Sequence, residues 1–334
     1  MFNKKKKINQ LPSCADSSRA ISENIIGSAS IYQVYVLLEC PTPWESDALT
    51  SPQIPQSVRE LPDRLYAAGH SIRFLLIHNH RLKRSDDKKR VLIFRRQDGW
   101  FQEYDKQEFL VDSLEAVPAI VEVYLSNPRN NNLSPVKTAT RDLLVCTHGS
   151  HDRCCARYGK PFYCAANKLV KNLELENVRV WQTSHFGGHR FAPTVIDFPS
   201  GRYYGGIDLF SLGMMLQRST NCAFFKSIYR GWGVLPNAVQ VLEQELILSW
   251  GWDWFDNEIK LPVSVKCLNE TEQLVDLWYK KPDGTVGGYR SQIVQDPSQT
   301  VSIRGSCASP KISTFIKWQV ANLMPLVPER ILSK

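Results

Sequence analysis

The chain has 334 residues, more than a single hydrophobic core usually supports, so two or three domains are expected. Hydrophobic residues at 43%, charged residues at 22% and nine tryptophans exclude a disordered or collagen-like chain, and no apolar run approaches the roughly 20 residues of a membrane helix. Lysine and arginine exceed aspartate and glutamate by 41 − 33 = 8, but the excess is split between a tail at residues 4–7 and a stretch at 81–96 interrupted by Asp86 and Asp87, which reads as a solvated face and is not evidence for nucleic acid.

In chain order, residues 1–28 read as a polar, basic tail without fixed structure. Residues 31–39 read as a strand, 57–68 as a helix, 71–77 as a second strand, and 90–94 with 100–103 as a pair around Gln97-Asp-Gly99. Cys40 closes the first strand, is followed by Pro41-Thr-Pro43 and has no companion thiol at useful spacing. His78 and His80 alternate at a strand end and read as structural. Asp142-Leu-Leu-Val-Cys146 is a short apolar run, hence a buried strand, and a polar loop through Cys155 follows it. Residues 161–173 carry helical spacing that turns Cys164 toward a core, and residues 178–183 alternate as a strand ending at Ser184-His-Phe-Gly-Gly-His189. A hairpin turning at Pro199-Ser-Gly201, helices at 209–217 and 238–248, and a second hairpin near Lys281-Pro-Asp-Gly284 complete the reading. Trp250, Trp252, Trp254 and Phe255 read as packing, and Cys222, Cys267 and Cys307 show no metal-ligand spacing.

The nine cysteines, an odd number with no secretory segment, point to a reducing, cytoplasmic compartment. Four of them (Cys146, Cys154, Cys155, Cys164) and four of the seven histidines (His148, His151, His185, His189) fall between positions 146 and 189. Thiolate and imidazole are the donors that transition metals prefer, so this crowding points to a metal site. Gly187 and Gly188 make a helix costly between His185 and His189, and a loop whose backbone bends closely around a metal group is expected instead.

The segments Cys146-Thr-His-Gly-Ser-His-Asp-Arg-Cys-Cys-Ala-Arg-Tyr-Gly159 and Ser184-His-Phe-Gly-Gly-His-Arg-Phe-Ala-Pro193 resemble the two hallmark segments of the sucrase/ferredoxin-like family. Looser similarity extends to residues 29–44, Tyr203-Tyr-Gly-Gly206 and Tyr229-Arg-Gly231. The resemblance implies a thioredoxin-like ferredoxin whose [2Fe–2S] cluster is ligated by Cys146 and Cys155 on one loop and by His185 and His189 on the other. Cys154 is the substitute ligand, the family's spacing of eight intervening residues selecting Cys155, while His148 and His151 become supporting or surface groups.

The element order then reads as two tandem thioredoxin-like domains of α/β class: a degenerate copy at 29–135, the ferredoxin copy at 136–230, and a C-terminal extension at 231–334. The expected function is one-electron transfer between a flavin- or ferredoxin-type reductase and an unidentified acceptor, with no membrane or nucleic-acid partner. Sucrase activity is not carried over, because no placed pair of carboxylates can be nominated. Two rivals remain at this stage: a structural zinc on the same Cys₂His₂ set, and a thiol redox centre built on Cys154 and Cys155.

Overall fold

The computed structural model describes residues 12–82, 85–126, 134–136, 138–219 and 221–327. It opens with a short helix, α1 (Cys14–Ala20), capped by the Ser13 side chain. Residues 14–20 are therefore not an unstructured tail. Cys14 and Ala15 are fully buried, which the surrounding polar sequence concealed.

The next segment runs β1 (Val34–Glu39), a broken helix α2 (Gln56–Arg59) and α3 (Leu61–Ala67), β2 (Ile72–His78), β3 (Lys89–Arg95), the short β4 (Gly99–Phe101), β5 (Asp105–Val111) and α4 (Val117–Ser126). The same order recurs as β6 (Arg141–Cys146), α5 (Lys160–Asn172), β7 (Val178–Thr183), β8 (Thr194–Phe198), β9 (Arg202–Gly205) and α6 (Leu209–Gln217), followed by β10 (Tyr229–Trp232). The runs Val34-Tyr-Val-Leu-Leu-Glu39 and Leu143-Leu-Val-Cys146 are buried along their length, as strands covered on both faces must be.

All these strands except β4 form one nine-stranded sheet in the order β10-β9-β8-β6-β7-β2-β1-β3-β5. In each half the first strand pairs in parallel with the second and antiparallel with the third. The halves are joined where β2 meets β7 antiparallel, through Ile77 opposite Thr183 and His78 opposite Gln182. Because only these carboxyl-terminal ends overlap, the loops that follow the parallel strands of both halves converge at the seam. A single layer of buried side chains runs across it, from Tyr35, Leu37 and Leu75 to Leu144, Trp181 and Phe198.

The expected pairing of 90–94 with 100–103 is not what forms. β3 pairs with β5, and β4 is donated to a second sheet, against β11 (Glu258–Leu261). After α7 (Asn237–Trp250) that sheet continues through β12 (Ser264–Asn269), β13 (Glu272–Lys280), β14 (Val286–Gln295) and β17 (Trp318–Leu326), with β15 (Val301–Arg304) and β16 (Ile312–Phe315) as a separate hairpin. The C-terminal segment is thus hydrogen-bonded into the N-terminal half. Its aromatic series packs as expected, Trp254 being buried edge-on to Trp250.

Candidate metal centre

The parallel register places Cys146, the last residue of β6, opposite Thr183, the last residue of β7. Two loops therefore leave the sheet side by side at the carboxyl ends of adjacent parallel strands, where open α/β sheets gather their sites. Cys155 returns on a single π-helical turn that feeds α5. This turn is brought close by Gly159, since a Cβ there would stand 1.9 Å from the Cys146 carbonyl oxygen. The helix continues with Phe162, Tyr163, Ala166 and Val170 on its buried face. Cys164 is exposed, correcting its expected place in the core, because it falls one position off that stripe.

Cys146 and Cys155 are each 1% exposed, and Nδ1 of His185 lies 3.8 Å from the first sulfur and 3.6 Å from the second. These three donors share one small space. The His189 ring stands beside them, its centroid 5.2 Å from that of His185, with Nδ1 turned 3.1 Å from Oδ2 of Asp152. That leaves Nε2 of His189 without the carboxylate, the arrangement in which a ligating histidine usually holds its second ring nitrogen. Burial, and then the neighbouring His151, His189, Arg73 and His148, push His185 down to about 2, so its ring is neutral, with Nε2 accepting the Gly187 backbone N–H at 3.1 Å. The Cys155 thiol is held well above the usual range, first by its hydrogen bond with Cys146 and then by burial.

Cys154, one residue away, faces elsewhere. Its Sγ lies 3.4 Å from Cys14 and 3.3 Å from Cys307. It is lowered to about 6, chiefly by the hydrogen bond from Cys14 and against the effect of its own burial. The vicinal pair is therefore divided between two environments.

Supporting groups come from both halves of the sheet. His148 accepts the His185 backbone N–H at Nδ1 (3.1 Å) and so donates from Nε2 to the Glu45 carbonyl (2.7 Å) in the loop after β1. His151 stacks on His185 at 3.9 Å. Arg73 of β2 donates to the His185 carbonyl at 2.8 Å. Below the loop, buried Arg230 donates to the carbonyls of Ser28 (2.7 Å) and Gly187 (3.2 Å). Gly188 has φ +78° and touches this guanidinium, so a side chain at that position would meet both strain and overlap. Cys40 directly follows β1, near the position Cys146 holds at the end of β6, yet among the described residues no ligating group gathers around it. Its thiol is pushed up to about 11 by burial.

The sequence model of the sucrase/ferredoxin-like family matches residues 25–231. The chain belongs to the sucrase/ferredoxin-like family. No match is found among curated proteins or among solved structures. The matched span contains Cys146, Cys155, His185 and His189, and it excludes Cys14 and Cys307. Among the described residues no helix is long and apolar enough to cross a membrane.

Sequence reasoning missed Asp152, Arg230, Cys14 and Cys307. The first two act through hydrogen bonds that have no spacing signature. The latter two meet Cys154 from 140 and 153 positions away, and their only trace in the sequence is that each is a cysteine without a local companion.

Proposed function

We propose that this member of the family is a one-electron carrier whose [2Fe–2S] cluster is held by Cys146, Cys155, His185 and His189. The observation that carries the reading is the meeting of two buried thiols and the Nδ1 of His185 at adjacent strand ends, with a second imidazole alongside. Two thiols and two imidazoles are a chemically suitable donor set for such a cluster. When bound, the cluster supplies reversible one-electron transfer.

The chain's own residues would then do three things. Thiolates from Cys146 and Cys155 bind on the buried side, where their 1% exposure excludes water. Arg73, His148 and Arg230 fix the loop that carries the histidines. The His189 side chain, 17% exposed, leaves the imidazole edge as the side a donor or acceptor approaches. A flavin- or ferredoxin-type reductase is the proposed donor class.

The repeated strand order supports reading each half as thioredoxin-like, with the first copy serving as a cover for the second. Neutral imidazoles in place of anionic thiolates favour the reduced state, and sites of this kind lie at roughly −150 to +300 mV against about −400 mV for plant-type ferredoxins. A potential above the plant-type value is expected.

Anaerobic purification tests the reading. Brown protein with iron and acid-labile sulfide in equal amounts supports it. A colourless protein with zinc bound by Cys146, Cys155, His185 and His189, or a metal-free active thiol oxidant, would overturn it.

A further inference from the structure

We propose that Cys14, Cys154, Cys307 and Asp152 form a second metal centre, a structural site for zinc, distinct from the cysteine and histidine set at the strand ends. The three thiols are buried and come from α1, from the loop after β6 and from the segment after β15. Their sulfurs form a nearly equilateral triangle with edges of 3.3, 3.4 and 3.5 Å. Tetrahedral zinc with Zn–S bonds of about 2.3 Å sets sulfur edges of about 3.8 Å, so a small expansion of this triangle accommodates the ion. A carboxylate oxygen of Asp152 lies with all three sulfurs inside the same small space and completes four donors.

The surroundings are those of a prepared site. The Asp152 carboxylate accepts the backbone N–H groups of Cys154 (2.9 Å) and Cys307 (3.0 Å) and the Ser306 hydroxyl (3.2 Å), which fixes both cysteine backbones and the carboxylate together. The backbone N–H of Cys14 points at Sγ of Cys307 at 3.3 Å, a donor to sulfur of the kind that supports metal-bound thiolates. A closed, buried, sulfur-rich set with no open position suits a redox-inert structural ion.

The consequence is a staple. One ion would tie the beginning of the described chain and a late C-terminal loop to the loop that carries Cys155. The inference does not rest on iron at the first centre, although Asp152 (3.1 Å) and Cys14 (3.5 Å) both reach Nδ1 of His189 and so link the two.

The test uses full-length protein purified without chelators and separate measurements of zinc and iron. Zinc X-ray absorption should show three sulfur neighbours near about 2.3 Å and one lighter ligand. Cys307→Ser should lower chelator-resistant zinc at least tenfold, the lower end of what losing even a supporting partner costs, while iron and visible absorption persist. Cys14→Ser should lower zinc as much, and because Cys14 Sγ lies 3.5 Å from Nδ1 of His189 the iron readout is taken from Cys307→Ser. Protein that takes up no zinc from a saturated buffer and alkylates at all three cysteines overturns the proposal. Zinc with two sulfur and two nitrogen neighbours overturns it as well and places the ion among Cys146, Cys155, His185 and His189. Should either serine variant fail to fold, the sulfur count around zinc in the unaltered protein decides. A three-sulfur zinc in protein lacking iron would uphold this centre and defeat the electron-transfer reading.

Discussion

Asp152 and His189 face each other across 3.1 Å, and the same carboxylate holds the backbone of Cys154 and Cys307. One side chain thus orients an imidazole of the first centre and two cysteines of the second. Asp152→Asn keeps the size but removes the charge and turns one of two acceptor oxygens into an N–H donor, so His189 Nδ1 and the backbone N–H groups of Cys154 and Cys307 can no longer all be met. The expected outcome is retained iron with a faster loss of visible absorbance under chelator, measured against the unaltered protein.

The two adjacent cysteines should behave differently. Cys155 reaches His185 at 3.6 Å, whereas Cys154 faces Cys14 and Cys307. Cys155→Ser is expected to remove the iron and the visible spectrum, and Cys154→Ser to leave most of both. Equal loss in the two variants would sink the ligand assignment.

Exchange of an imidazole for a thiolate adds negative charge to the centre. His185→Cys or His189→Cys, where the cluster is retained, should therefore move the potential down toward the about −400 mV of plant-type ferredoxins. Voltammetry of the purified variants reads the shift, and an unchanged potential counts against histidine ligation.

Gly159 is needed for closeness. An added methyl would collide with the Cys146 carbonyl carbon and oxygen, both backbone atoms that cannot rotate away. Gly159→Ala should cost at least about 1–3 kcal/mol, the usual range for overpacking, and should lower iron content as well. Thermal unfolding and iron analysis on the same samples check both effects.

Glu23 gives the fold an acid limit. Its carboxylate is buried with Arg190 at 3.1 Å and Lys317 at 2.7 Å. Burial alone would raise its pKa, but the hydrogen bonds and charges of Arg190 and Lys317 outweigh this and hold it below the ordinary value. A depressed carboxyl contributes stability above its unfolded pKa of about 4.3 and loses it as pH falls through the folded value. Glu23→Gln should destabilise by about 3–5 kcal/mol at neutral pH by leaving buried Lys317 without a carboxylate and partly buried Arg190 with only its aromatic neighbours. The gap to the unaltered protein should narrow below about pH 4, as followed by thermal unfolding across pH.

The grouping of Cys146, Cys155 and His185 was legible because Cys146 and Cys155 share one loop and His185 begins another, each after a strand whose apolar run announces it. The family resemblance at these segments is borne out by the match over residues 25–231. Pairing at a distance was less legible. β3 and β5 meet across the Gln97-Asp-Gly99 turn because β4 is drawn into the C-terminal sheet, and nothing local in Trp100 or Phe101 signals a partner at Ile259. Cys164 was misplaced by less than one helical turn, within the uncertainty of phasing a stripe on a short helix. Cys14 was hidden by its polar neighbours, since burial there is produced by Cys154, Ala192 and Cys307 and not by its own segment.

The meeting of Cys14 with Cys307 also sets a timetable for making the protein. The two are 293 positions apart, so at about 5–20 residues per second a ribosome that has released the first needs roughly 15 to 60 s before it has built the second. Until then α1 can meet only Cys154, made 140 positions after Cys14, and the third thiol of this corner is missing. Completion of this corner therefore follows synthesis of Cys307, 293 positions after Cys14. Chains truncated short of position 307 are expected to lack the thiol that Cys307 brings against Cys14 and Cys154, leaving the loop before α5 without that contact.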